Sequence, residues 1–128
     1  MRWKENYVIG IPEIDREHQK LVACVTEIEE AIAEGKRWST LHFALEKLVS
    51  ATTEHFTVEE SLMRIQRYPQ VDDHIVSHIE FLQRLEALEM QSLAGPVTQE
   101  AIAFLGPLLE EHFLSDDKHY ASYVAKAA

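Results

Sequence analysis

The chain has 128 residues, with 12 Lys plus Arg against 22 Asp plus Glu, a formal charge of −10, seven His and one Cys. That length suits a single domain spanning residues 1–128 that buries its core without disulfides, and a lone Cys is at home in a reducing compartment, so a cytoplasmic location is expected. The negative balance repels phosphate backbones and anionic headgroups, and no apolar run approaches about 20 residues, which argues against nucleic-acid partners, membrane insertion and a leader peptide.

The first eleven residues, with Trp3 and Tyr7, read as an N-terminal arm packed over the helices. Beyond them, Gly and Pro at 10 and 12, 35, 69, 95 and 96, and 106 and 107 cut the chain into helix-length pieces. Within each piece the apolar residues recur at three- and four-residue steps, the period of a buried helix stripe. A first helix over about 12–34 carries Ile14, His18, Leu21, Val25, Ile28 and Ile32 on that stripe. A second over about 39–65 carries Leu41, Leu45, Leu48, Thr52, His55, Glu59 and Leu62. A third over about 69–93, with Pro69 in its first turn, carries Val71, His74, His78, Phe81, Leu85 and Leu88. A fourth over about 97–124 carries Ile102, Leu105, Leu109 and His112, and Gly106-Pro107 is expected to bend it or make it restart. Four amphipathic helices on short connections predict an all-α fold, an up-down-up-down antiparallel four-helix bundle.

Every one of these stripes is interrupted by a group that ligates metals. They are His18 on the first helix, His55 and Glu59 on the second, His74 and His78 on the third, and His112 with a following Asp on the fourth. Burying one such group without a partner costs a few kcal/mol, so a facing set of them calls for something that satisfies all together. Residues four apart on a helix share a face, which lets His55 and Glu59, or His74 and His78, reach one ion. Five imidazoles and two carboxylates exceed the needs of one ion and match two bridged ions, with Fe, Zn, Mn or Cu all suited to the donors. No His has Glu three residues before it, which separates the chain from carboxylate-rich bundles built on ExxH. On the fourth helix the Asp is ambiguous. Asp116, four residues past His112, shares its face in a regular helix, whereas Asp117 lies about 140° around.

The segments Gly10-Ile11, Ile14-Asp15-Arg16-Glu17-His18, His55-Phe56-Thr57-Val58-Glu59-Glu60 with Met63, Tyr68-Pro69, His74-Ile75-Val76-Ser77-His78 with Phe81, and His112 followed by Asp117-Lys118-His119-Tyr120 stand in this order. In these pieces, from Trp3 to about Tyr120, the chain resembles the hemerythrin family, specifically its single-domain bacterial members. The resemblance implies a non-haem di-iron centre, two Fe ions cycling between Fe2+ and Fe3+ with an oxo or hydroxo bridge. It implies His74, His78 and His112 on one iron, His18 and His55 on the other, and Glu59 and Asp117 bridging both. The second iron keeps an open position, where the family binds O2. Asp117 in this role requires a local π-type widening of the fourth helix, since such a turn brings residues five apart together. Reversible O2 binding for storage, delivery or sensing is thus the implied function, with no enzymatic turnover. The alternatives are a di-iron enzyme or sensor acting on peroxide, nitric oxide or Fe(II), and a bundle that holds zinc without oxygen chemistry. An oxygen-using enzyme or redox protein is the implied partner, and the charge favours a monomer.

The remaining chemistry-bearing residues take structural readings. His42 and His119 are read as solvated surface groups, Cys24 as a small core residue, and Glu60 as a solvated or capping carboxylate. The acidic runs at Glu27, Glu29 and Glu30 and at Glu110 and Glu111 read as solvated faces.

Overall fold

In the computed structural model, which describes residues 1–127, three long helices follow the sequence punctuation: α1 over Pro12–Ala33, α2 over Trp38–Ile65 and α3 over Val71–Ala94. The fourth arm of the bundle is composite. It consists of a short α4 over Gln99–Ile102, α5 over Leu105–Glu111, a π-helical turn over His112–Asp117, and α6 over Lys118–Ala127. The four arms are antiparallel neighbours joined by short turns.

The connections arise from local chemistry. At the end of α1, Gly35 takes φ +64°, and the amides of Gly35 and Lys36 donate to the carbonyls of Ile32 and Ala31 at 3.1 and 3.0 Å. This paired bonding satisfies the helix's last acceptors and needs the left-handed residue that Gly supplies without strain. The end of α2 repeats the arrangement with Arg67 at φ +55°, and Tyr68 donates to Met63 at 2.9 Å. Arg67 holds that conformation at a cost in steric strain, and the turn is braced by the Tyr123 hydroxyl, which donates to the carbonyls of Gln66 and Arg67 at 2.6 and 3.2 Å.

One boundary departs from the expectation. Pro69 does not open α3; it lies in the turn before Gln70, the cap residue, because the left-handed exit from α2 consumes residues 67–70. The fourth helix restarts just before Gly106-Pro107, as that pair suggests. Thr98 caps α4 through its hydroxyl, which accepts from Ala101 at 3.2 Å, and the chain unwinds after Ile102. It restarts at Leu105 so that Pro107 falls in the first turn of α5, where its missing N–H leaves nothing unpaired.

The apolar stripes meet in two clusters. The larger holds Val25, Ile28, Leu45, Leu48, Leu85 and Leu105, all fully enclosed, and extends to Phe56, Phe81, Leu109 and Phe113. The smaller gathers Ile14, Met63, Tyr68 and Tyr120 at the other end. In every arm the polar stripe residues lie between the segments that feed these two clusters, so the fold interleaves a polar layer with two greasy ones. Cys24 is buried in the larger cluster, as expected of a small core residue.

The N-terminal arm packs as its aromatic residues suggest. Tyr7 is buried edge-on to Phe113, and its hydroxyl donates to the Glu110 carboxylate, which also receives Lys4 at 3.3 Å. Burial, reinforced by Glu110, pushes the Tyr7 phenol up to about 12. Glu110 is therefore an anchor for the arm, in place of the solvated role read from the sequence. Tyr7→Phe is expected to lower the urea midpoint modestly, because the hydroxyl's bond to a charged, solvent-screened acceptor is lost while the ring packing is kept.

Candidate metal centre

His18 comes from α1, His55 and Glu59 from α2, His74 and His78 from α3, and His112 and Asp117 from the two ends of the π-helical turn. All seven side chains project into one layer and none is more than 5% exposed. Their donor atoms gather in two overlapping groups, one of Glu59, His74, His78, His112 and Asp117, the other of His18, His55, Glu59 and Asp117; within each, the ligand atoms lie within 4.8 Å of one another. The two carboxylates belong to both groups.

The distances show how the carboxylates divide. Glu59 Oε1 lies 2.6, 3.0 and 3.6 Å from Nε2 of His74, His78 and His112, while Oε2 lies 3.5 Å from Nε2 of His55. Asp117 Oδ2 lies 2.7 Å from Nε2 of His18 and 3.1 Å from that of His112, and Oδ1 lies 3.0 Å from that of His74. The π-helical turn makes the Asp117 contacts possible, since residues five apart would diverge in a regular helix.

Apart from one bond, between His78 Nε2 and Glu59 Oε1 at 3.0 Å, these groups are close without being hydrogen-bonded to one another. Nε2 of His18, His55, His74 and His112, Oε2 of Glu59 and both oxygens of Asp117 are buried with no hydrogen-bond partner. Short separations with poor hydrogen-bond angles arise when lone pairs converge on common points. Imidazole and carboxylate donors so arranged fit two cations of the Fe or Zn kind. Leaving this many buried polar atoms unsatisfied would cost far more than a marginally stable domain has to spare.

The electrostatics of the metal-free chain agree. Burial raises the cost of any charge here, yet the charge of His112 and contacts with His18 and His74 hold Asp117 well below the carboxylate range, and Glu59 is also lowered. Against the same burial penalty, contacts with Asp117 and Glu59 lift His74 to about 9, and Asp117 lifts His112 well above 6.5. Burial lowers His18. Without metal, protons on His74 and His112 take the place of cations between the two carboxylates.

Behind the layer stands a second row of carboxylates that sequence reasoning does not assign. His55 Nδ1 is 3.0 Å from Glu17 and His78 Nδ1 is 2.8 Å from Glu60, so both rings donate outward and keep Nε2 free to face inward. Asp116 accepts from Ser77 at 2.9 Å and lies 3.4 Å from Nδ1 of His112. Glu60 is thus half-buried and holds the His78 ring, in place of the solvated or capping role read from the sequence. Asp116 faces the outer edge of His112, and Asp117 the inner one. A signal for this row exists: Glu17, Glu60 and Asp116 each adjoin a layer residue, one step off the stripe, where a side chain reaches across to the next helix.

Aromatic rings complete the walls. Phe56 stacks on His78 at 3.6 Å and Phe113 on His18 at 4.0 Å. Outside the layer, His119 is exposed as expected. His42 departs from its solvated reading, being half-buried with its ring nitrogens 2.8 Å from Ser92 Oγ and 3.0 Å from Glu46.

Residues 9–124 match the family described as the hemerythrin HHE cation-binding domain. The chain belongs to the hemerythrin family. It is 29% identical over 123 residues to a bacteriohemerythrin of Pseudomonas aeruginosa, covering 95% of this chain and 80% of that protein. It is 27% identical over 119 residues to a myohemerythrin of Theromyzon tessulatum, covering 93% and 89%. A solved hemerythrin variant superposes with a TM-score of 0.88 at 22% identity over 95% of each chain, a likeness of fold. The hemerythrin fold accounts for the all-helical architecture, and no described helix is long and apolar enough to cross a membrane.

One consequence of the outer row is directly measurable. Glu60→Gln keeps the size of the side chain but weakens the bond that fixes His78. It is expected to lower metal affinity by about tenfold in chelator competition, with little change in the unfolding midpoint of the metal-free chain.

Proposed function

We propose that this hemerythrin-family chain binds O2 reversibly at a pair of iron ions. The observation that carries the reading is the pair of overlapping donor groups sharing Glu59 and Asp117. In this reading His74, His78 and His112 would hold one iron, His18 and His55 would hold the other, and Glu59 and Asp117 would serve both. Three imidazoles on one side and two on the other leave the second iron one protein donor short, which suits it to an exogenous ligand. When bound, the iron pair supplies the two electrons by which O2 is held and released.

The chain's own residues do the rest. Glu17 and Glu60 orient the rings of His55 and His78, and their charge raises the basicity of the inward nitrogens. Phe56, Phe113, Leu109 and Ile14, all buried, exclude the water and protons that would convert reversible binding into oxidation. Among the described residues, no buried acid or base lies in the layer beyond the seven donors and the Thr52 hydroxyl, which favours holding a ligand over turning one over. Storage, or delivery to an oxygen-using enzyme or redox partner, by a cytoplasmic, monomeric protein in which residues 1–128 form one domain is the physiological form this reading takes.

Anaerobic loading with Fe2+, followed by metal analysis and visible absorption in air and then argon, tests it. About two irons per chain and a charge-transfer band that rises with O2 and falls on its removal are expected. Irreversible bleaching in the first cycle would replace binding with an enzymatic or sensing role, and a preference for zinc without any band would remove the oxygen chemistry.

A further inference from the structure

Three of the five inner imidazoles are held from behind: His55, His78 and His112 each face a carboxylate through Nδ1. The Nδ1 of His18 has no hydrogen-bond partner, but that ring is fully enclosed and stacked on Phe113. His74 is different. Its Nε2 lies 2.6 Å from Glu59, but its outer nitrogen has no hydrogen-bond partner among the described residues. His74 lines a cavity of about 180 Å³, together with Tyr68, Gln70, Asp73, Asp116 and His119. His74 is 4% exposed whereas Gln70, Asp73 and His119 are exposed, so the cavity leads from solvent to the back of one inner ring.

Its lining suits a particular visitor. Two carboxylates and an imidazole, with no Lys or Arg among the lining residues, attract a hydrated divalent cation and offer it oxygen and nitrogen donors in exchange for water. A second cavity of about 190 Å³, lined in part by Ser77, Glu80, Arg84, Glu111 and Asp116, reaches His112. It ends at an imidazole held by Asp116 and carries the Arg84 guanidinium, which lies 3.9 Å over the Phe104 ring. A cation on that side meets both a fixed ring and a like charge.

We propose that Asp73, Asp116 and His119 form a loading port for divalent iron, through which the ion passes to the centre as the unbraced His74 ring swings aside. The proposal rests on the metal-centre reading above. Because loading and release share one path, the loaded protein is enough to test it. Holoprotein is reduced, mixed with excess ferrous chelator, and followed for first-order iron release at low and high salt, for the unaltered chain, for Asp73→Asn/His119→Gln and for Glu80→Gln/Glu111→Gln. The first variant is expected to release iron about tenfold more slowly and with weaker salt dependence, as loss of a charge beside a divalent ion implies. The second is expected to match the unaltered chain, and both to start with the same iron content. Release unchanged in the first variant, or slowed as much in the second, would overturn the port while leaving the iron centre intact. An unaltered chain that holds no iron would overturn the centre, and the port with it.

Discussion

Glu59→Ala is expected to abolish binding of the second metal ion and to destabilise the metal-free chain by about 3–5 kcal/mol, the cost of removing one partner from a buried charged cluster. Glu59 is fully buried, and its two oxygens face four imidazoles from both donor groups. Without it, His74 and His112 lose a counter-charge and the two groups lose one of their two shared members. Metal analysis after loading and a urea titration of the metal-free variant check the two halves separately. Full metal content in Glu59→Ala would show that the carboxylate is a bystander.

The second large effect is on the pH dependence of the metal-free chain, where the groups act in opposite senses. Glu59 and Asp117 are depressed, so their stabilisation is present above the unfolded carboxylate values, about 4, and is lost as pH falls through their lower native values. His74 and His112 are raised, so their stabilisation is complete below the usual 6.5 and is lost as pH rises, through about 9 for His74. His18, shifted down by burial, subtracts stability as pH falls below 6.5. Metal-free stability should therefore peak between about pH 5 and 6.5 and decline by a few kcal/mol toward pH 9. The metal-loaded chain should show the opposite slope between pH 6.5 and 9, because ligation requires neutral imidazoles and is favoured as protons leave. Urea midpoints at both pH values, with and without metal, measure both slopes. Parallel slopes would mean that protons and metal do not compete for the same nitrogens.

Much of this centre is legible in the sequence because helix periodicity converts spacing into direction. His18, His55 with Glu59, and His74 with His78 fall on stripes otherwise filled by residues such as Leu21, Leu48 and Phe81, and a buried stripe has only one way to face. Asp117 is a different case. Spacing alone favours Asp116, and only the family resemblance points past it to Asp117; the π-helical turn between His112 and Asp117 supplies the rotation that a regular helix lacks. Such a turn leaves no composition signal in His112-Phe113-Leu114-Ser115-Asp116-Asp117. The outer carboxylates Glu17, Glu60 and Asp116 are less accessible still, because whether a residue beside the stripe reaches a neighbouring ring depends on the rotation of both helices. His42 shows the same limit, since one of its partners, Ser92, is 50 residues away on α3. Helix α3 begins two residues later than Pro69 suggests because the exit from α2 uses a left-handed Arg67, a position where no Gly announces the turn.

The reading as an oxygen binder stands or falls on whether O2 comes back unchanged. With the ferrous protein in an oxygen electrode, uptake of one O2 per two irons, followed by release of the same amount as O2 on argon flushing over repeated cycles, is the predicted result. Uptake without release, or recovery of the oxygen as peroxide or water, would contradict it.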